Sequence, residues 1–165
     1  PLNMWVLLHR FEAVVNRANE HLENISAGRY ALIRSEDESK KIRKTGLGLS
    51  VIDHDGSPTG DIIRPTASLS GGETFYTSLA LALALAEIVQ EENGGIRIDT
   101  LLIDEGFGTL SAGVRDAVMQ TLRTLTAQGR IVGIVSHVEE LKNIIPSRVS
   151  ISPTPTCGSE LRTIC

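Results

Sequence analysis

Two short apolar runs, TLLID at residues 100–104 and IVGIV at 131–135, constrain this chain more than any other feature. Each reads as a strand, and between them AGVRDAVMQTLRTLTAQG, residues 112–129, has helical apolar spacing and a closing glycine. A strand, a helix and a strand in that order make a parallel pair with a crossover, which commits the second half of the chain to an α/β layer fold. Strands of a parallel sheet are covered on both faces, so IRIDTLLIDE and RIVGIVSH are both expected to be buried. Ligands of such sheets gather beyond the carboxyl ends of the strands, and Asp104, Glu105, Ser136 and His137 fall there.

Upstream lies SLSGGETFYTSLALALALAEI. Residues 79–86 alternate Leu and Ala, a period of two that would suit a strand. Composition overrules the period, because Ala and Leu lead the helix scale whereas strands favour β-branched and aromatic residues. A helix over about residues 72–92 is expected, apolar on most sides and therefore buried. Ser70 and Glu73 have the spacing of a capping box at its start. The box does not account for Gly71 and Gly72, each of which costs roughly 0.5–1 kcal/mol relative to alanine in a helix. Bare backbone at a helix N-terminus can close several N–H groups on a phosphate, helped by the helix dipole.

The first segment spaces Leu8, Phe11, Val15, Ala18, Leu22 and Ile25 at gaps near three and four, an apolar seam that stops at Ala27 and Gly28. It suits an amphipathic helix on a core or the foot of a coiled coil. RYALIRS and GLSVIDHDGSPTGDIIRP follow as strands, with Asp55-Gly56 and Gly60 marking a hairpin turn. Between the first two strands, Lys40, Lys41, Arg43 and Lys44 make a basic cluster that is either a solvated loop or a local contact for DNA phosphates. A short helix near residues 138–144 and a strand pair at 148–152 and 161–164 close the chain. His9, His21 and His54 are expected to be exposed.

The 20 acidic and 16 basic residues give a net charge of -4, so no global basic field argues for nucleic acid and any DNA contact must be local. The longest unbroken apolar run, residues 79–86, is too short to cross a bilayer, and no signal-peptide pattern opens the chain, so a cytoplasmic location is expected. Cys157 and Cys165 match no paired metal-ligand spacing. Pro1 stands first, and a segment of a longer polypeptide or a trimmed chain is expected.

Asp104 and Glu105 close an apolar strand that has no packing reason to end on two acids. One acid can orient a hydrated magnesium ion, and its neighbour can polarise the water that attacks a γ-phosphate. His137 can hydrogen-bond a γ-phosphate oxygen or that water. Yet the sequence contains no GxxxxGK[ST] loop to cradle a nucleotide.

LSGGE at residues 69–73, an apolar strand ending in Asp104-Glu105, a turn, and a strand ending in Ser136-His137 together resemble the ABC-type ATPase superfamily. Gly106 after the second acid and Glu73 in place of glutamine set the chain apart from transport ATPases. LSGGETF, LLIDEGFGTL and GIVSHVEELKNIIPSRV are similar to the C-terminal ATPase segment of the SbcC family. NRANEHLENISAGRY is similar to the point where the coiled coil of that family re-enters its head.

The resemblance implies the C-terminal half of an ABC-type ATPase head, with residues 1–28 as the base of a coiled coil and 29–165 as the lobe. It implies that Ser70, Gly71, Gly72 and Glu73 are the signature motif, which caps an ATP held by a second head. Asp104 would be the Walker B acid for Mg2+, Glu105 the catalytic base, His137 the switch histidine and residues 106–111 the D-loop. The family generally carries aspartate where Ser111 stands; serine can still cap the following helix, but a negative contact across the head dimer would be lost. The implied partners are an N-terminal half that carries the P-loop, a second head, an SbcD-like nuclease and DNA. A competing expectation is a non-catalytic structural or DNA-binding module in which the signature survives as packing.

Overall fold

A computed structural model describes residues 2–35, 48–92, 94, 98–155 and 158–164. Lys40, Lys41, Arg43 and Lys44, like Cys157 and Cys165, lie outside the described residues.

Helix α1 spans Leu2–Ser26, starting ahead of the apolar seam because nothing in residues 2–7 breaks a helix. The seam meets a core from Phe11 onward: Phe11 packs against it and Val15, Ala18, Leu22 and Ile25 are buried, whereas Trp5, Val6 and Leu7, ahead of the seam, are exposed. The helix stops where expected, with the Gly28 N–H donating to the Glu23 carbonyl at 2.8 Å.

Strands β1 (Tyr30–Arg34), β2 (Leu49–Ser57) and β3 (Gly60–Pro65) form an antiparallel sheet in that order. Asp55-Gly56 is not the hairpin turn. Ser57 pairs with Gly60, so the chain reverses at Pro58-Thr59, and Gly56 lies inside β2 where the register slips between Asp53 and Ser57.

Helix α2 spans Gly71–Glu92 and buries Tyr76, Thr77, Leu79, Ala80, Leu83 and Ala84. It is long and apolar enough to cross a membrane by length and composition, but here its buried face packs on α1. The expectation of burial on most sides fails, because Leu85 is 54% exposed and Val89 is exposed beside it. Its last turns are acidic, and Glu87, Glu91 and Glu92 pair with Arg17, His21 and Arg10 of α1. His21 is therefore held at 3.2 Å from Glu87 and is not the exposed residue expected.

Strand β4 (Thr100–Asp104), helix α3 (Ala112–Ala127) and strand β5 (Ile131–Val135) form the expected unit, with β4 and β5 parallel and Asp104 opposite Val135. The side chains sort by the two-residue strand period. Ile103 is buried, and Leu101, Val132 and Ile134 pack against the core on the same face. The opposite face is bare: Leu102 is 77% exposed, Ile131 65% and Val135 59%. The two strands are thus half-buried rather than buried, since no described layer covers their second face. Helix α4 (Leu141–Ile144) and the antiparallel pair β6 (Arg148–Pro153) and β7 (Ser159–Ile164) follow, and Val149, Ile151 and Leu161 on that pair are also exposed.

Candidate functional site

The carboxyl ends of β4 and β5 bring two of the expected residues together. Glu105 Oε2 and His137 Nδ1 lie 2.9 Å apart, with both side chains open to solvent. The Glu105 N–H extends the sheet ladder, donating to the Val135 carbonyl at 2.9 Å. Glu105 has φ 61° and Gly106 φ 98°, so the backbone turns sharply as it leaves the strand. An imidazole on a carboxylate can orient it and shuttle the proton of an attacking water. Asp104 is exposed at the last position of β4.

The loop before α2 forms the expected capping box. The Ser70 N–H donates to Glu73 Oε2 at 2.7 Å, and the Glu73 N–H donates to Ser70 Oγ at 3.3 Å. The glycines between them differ. A Cβ on Gly72 would stand 2.7 Å from the Thr109 carbonyl oxygen, so this glycine is required by packing within the chain. A Cβ on Gly71 would meet only the Thr109 side chain, at an ordinary 3.6 Å, so packing within the chain does not require that glycine. Sequence reasoning missed the Gly72 contact, which joins two segments separated in sequence and has no local signature.

Glu73 also has partners that the sequence did not suggest. Its Oε1 accepts the Tyr30 hydroxyl at 2.5 Å, and Arg64 stands 4.0 Å away. Burial pushes the Glu73 carboxyl up, but the bonds from Tyr30 and Ser70 and the charge of Arg64 outweigh it and leave the group below its ordinary value. Burial first, then the bond to Glu73, pushes the Tyr30 hydroxyl up to about 12. Deeper in lies Asp53, 2% exposed, with the Arg29 Nε at 3.1 Å and the Arg64 guanidinium at 3.0 Å. Burial opposes its charge, yet the two guanidiniums hold its carboxyl below the usual range. Both Glu73 oxygens are thus taken by protein donors. Glu73 shapes the loop, while Ser70 and Gly71 beside it are exposed.

Ser111 occupies the cap position of α3, but its side chain makes no capping bond. Among the described residues no three His, Cys, Asp or Glu side chains gather as a metal cage. Asp104 alone fits magnesium, which keeps several waters and takes one or two carboxylates plus phosphate oxygens. The nucleotide fits in the same partial sense: an exposed helix N-terminus and an acid–imidazole pair are present, without a cradle.

The chain is similar to known proteins in sequence and in fold. Residues 43–124, which hold the capping loop, Asp104, Glu105 and the turn after them, match the family described as SbcC/RAD50-like, Walker B motif. The chain is 46% identical over 145 residues to the SbcC component of nuclease SbcCD from Staphylococcus epidermidis, covering 88% of this chain. It spans 14% of the length of that relative. A solved structure from work on ATP-driven dimerization and DNA-stimulated activation of SMC ATPases superposes with a TM-score of 0.70 at 15% identity, over 98% of this chain and 89% of the other. The Smc head domain of Pyrococcus furiosus, solved with an extended coiled coil and the C-terminal domain of ScpA, gives 0.63 at 19% identity, over 98% and 37%. The fold is that of the C-terminal half of an ABC-type ATPase head.

Proposed function

The chain belongs to the SbcC/RAD50-like ATPase family, and from that premise we propose that it is the C-terminal half of an ATP-hydrolysing head whose nucleotide cradle comes from another segment. The observation that carries this reading is the Glu105–His137 pair, 2.9 Å apart at the carboxyl end of a parallel sheet whose second face is bare. The pair supplies the base that activates water, and the bare face of Leu102, Ile131 and Val135 receives the N-terminal half with its P-loop. Asp104 is the carboxylate for Mg2+, whose chemistry when bound is to neutralise charge on the transferring phosphate. Ser70 and Gly71 cap the ATP of a second head, so that nucleotide joins two heads and hydrolysis releases them. Helix α1 is the base of the coiled coil, and residues 29–165 are the lobe proper. The cycle gates DNA to a partner nuclease of the SbcD type in double-strand-break repair, in the bacterial cytoplasm at the nucleoid.

The test is Glu105→Gln in the complete protein. Turnover should fall by at least about 100-fold, the range of a lost general base, while ATP still drives heads into a dimer seen by light scattering. Turnover close to the parent rate would overturn the reading. A complete parent protein without ATP turnover would favour a structural module instead, for which the packing of Gly72 on Thr109 would be reason enough to keep the signature.

A further inference from the structure

We propose that Phe75 is a positioning residue for Glu105, which locks the signature helix of a head to that head's own hydrolytic acid; the proposal rests on the ATPase reading above. Glu105 at φ 61° adopts a left-handed conformation that costs a residue with a Cβ roughly 1–3 kcal/mol and persists only where its surroundings impose it. The bond to His137 does not impose it, because both side chains are substantially exposed, Glu105 48% and His137 80%. The restraint comes from the backbone on either side. Behind Glu105, its N–H is fixed on the Val135 carbonyl. Ahead of it, the Phe75 ring fills the space where a side chain on Gly106 would project, so that even a methyl group there would overlap the ring. Phe75 in turn tilts against Phe107, fully buried, at 5.3 Å between ring centroids. The Thr109 hydroxyl ties off the turn on the Gly106 carbonyl at 2.8 Å.

Phe75 stands in the first turns of α2, just after Gly71 and Gly72, and Gly72 is seated on the Thr109 carbonyl. The turn after β4 is therefore clamped to the signature helix at two points, Gly72 on Thr109 and Phe75 on Gly106. A helix segment of this length moves as a rigid unit, so a shift of its N-terminus when an anion engages Gly71 is passed through the ring to the backbone of Glu105. ATP gripped by the signature loop of a head, although held by the opposite head, thus adjusts the acid that activates the water for the ATP held by the first.

The experiment uses the full-length protein that carries this segment, with Phe75→Ala, Phe75→Leu, Gly106→Ala and the Phe75→Ala/Gly106→Ala pair. Misplacing a catalytic group by a fraction of an ångström to an ångström lowers rate steeply, so Phe75→Ala should reduce kcat by about tenfold or more. The KM for ATP and ATP-driven dimerisation should stay within about twofold, since no group that touches nucleotide is altered. Phe75→Leu, which keeps the atoms nearest Gly106, should fall between parent and alanine. Gly106→Ala should lower kcat as well, and in the double variant its effect should shrink because the overlap is gone. A kcat for Phe75→Ala within twofold of the parent overturns the proposal. So does a loss in which kcat, KM and thermal midpoint all worsen together, the mark of general unfolding. A parent protein without ATP turnover defeats the ATPase reading, Glu105→Gln with full turnover defeats Glu105 as its base, either defeats this proposal with it, and both are seen before any Phe75 variant is measured.

Discussion

Asp53 and Leu102 occupy opposite situations in the same chain. Asp53, 2% exposed, is enclosed by Arg29 and Arg64, and Arg64 in turn faces Glu73 of the capping loop, which Tyr30 holds. Leu102, in the middle of β4, is 77% exposed, with Ile131 and Val135 bare on the neighbouring strand. A buried charge must find its partners within the segment that buries it, since leaving it unpaired costs several kcal/mol. An apolar face can wait for a partner at a penalty of about 25 cal/mol per Å2, recovered on association. The side of the capping loop is thus closed by polar bonds, and the sheet side is left open.

The largest expected effect breaks the closed side. Asp53→Ala leaves two guanidiniums facing each other, and urea denaturation of the chain should show a loss of about 3 kcal/mol, discounted from the upper range because Arg29 can turn to solvent. A loss below about 1 kcal/mol would mean that the cluster is not what closes this side. The open side should respond in the reverse manner. Leu102→Asp with Val135→Asp should leave the denaturation midpoint of the chain nearly unchanged, because both side chains already face water. Association with a separately produced N-terminal half should weaken by about 100-fold, about 2.7 kcal/mol, measured by titration calorimetry. Unchanged association would assign that face to something other than the missing half.

The same contrast separates what could be read from the sequence from what could not. Ser70 with Glu73 is a local pattern, and the structure has the capping box that it implied; Glu105 and His137 were legible as residues at strand carboxyl ends, but their contact, 32 residues apart in sequence, was not. The strand-helix-strand order settled the parallel pair. Tyr30 as the partner of Glu73 lies 43 residues away on another element, and nothing in the spacing of either points to the other. Gly72 resting on Thr109 is hidden in the same way. Asp55-Gly56 failed as a turn because a strong local signal lost to register, which placed Ser57 opposite Gly60 and left Gly56 as an irregularity in β2. The burial expected of Leu102 and Val135 failed for a different reason: an apolar strand reports that it will be covered, not which polypeptide covers it.

The smallest effect sharpens the closed side through pH. Tyr30→Phe removes one hydrogen bond to a carboxylate and should lower stability near neutral pH by about 1–2 kcal/mol. Glu73 and Asp53 both titrate below their ordinary values in the folded chain. Each therefore adds stability that is present above the unfolded carboxyl pKa and is lost as pH falls through the folded one. After the burial that opposes it, the Tyr30 bond is the largest influence on Glu73. Without it the folded pKa of Glu73 rises toward the unfolded value, and the stability that this carboxylate adds above that value shrinks. The Tyr30 hydroxyl, held up to about 12, works at the other end: its stability is present below about 10 and is lost as pH rises toward 12. Thermal midpoints measured from pH 3 to 7 and from pH 9 to 12 should show Tyr30→Phe with a shallower dependence in both ranges. Parallel curves for parent and variant on the acid side would mean that Glu73 does not depend on Tyr30, and the closed side would then reduce to Asp53 and its two arginines.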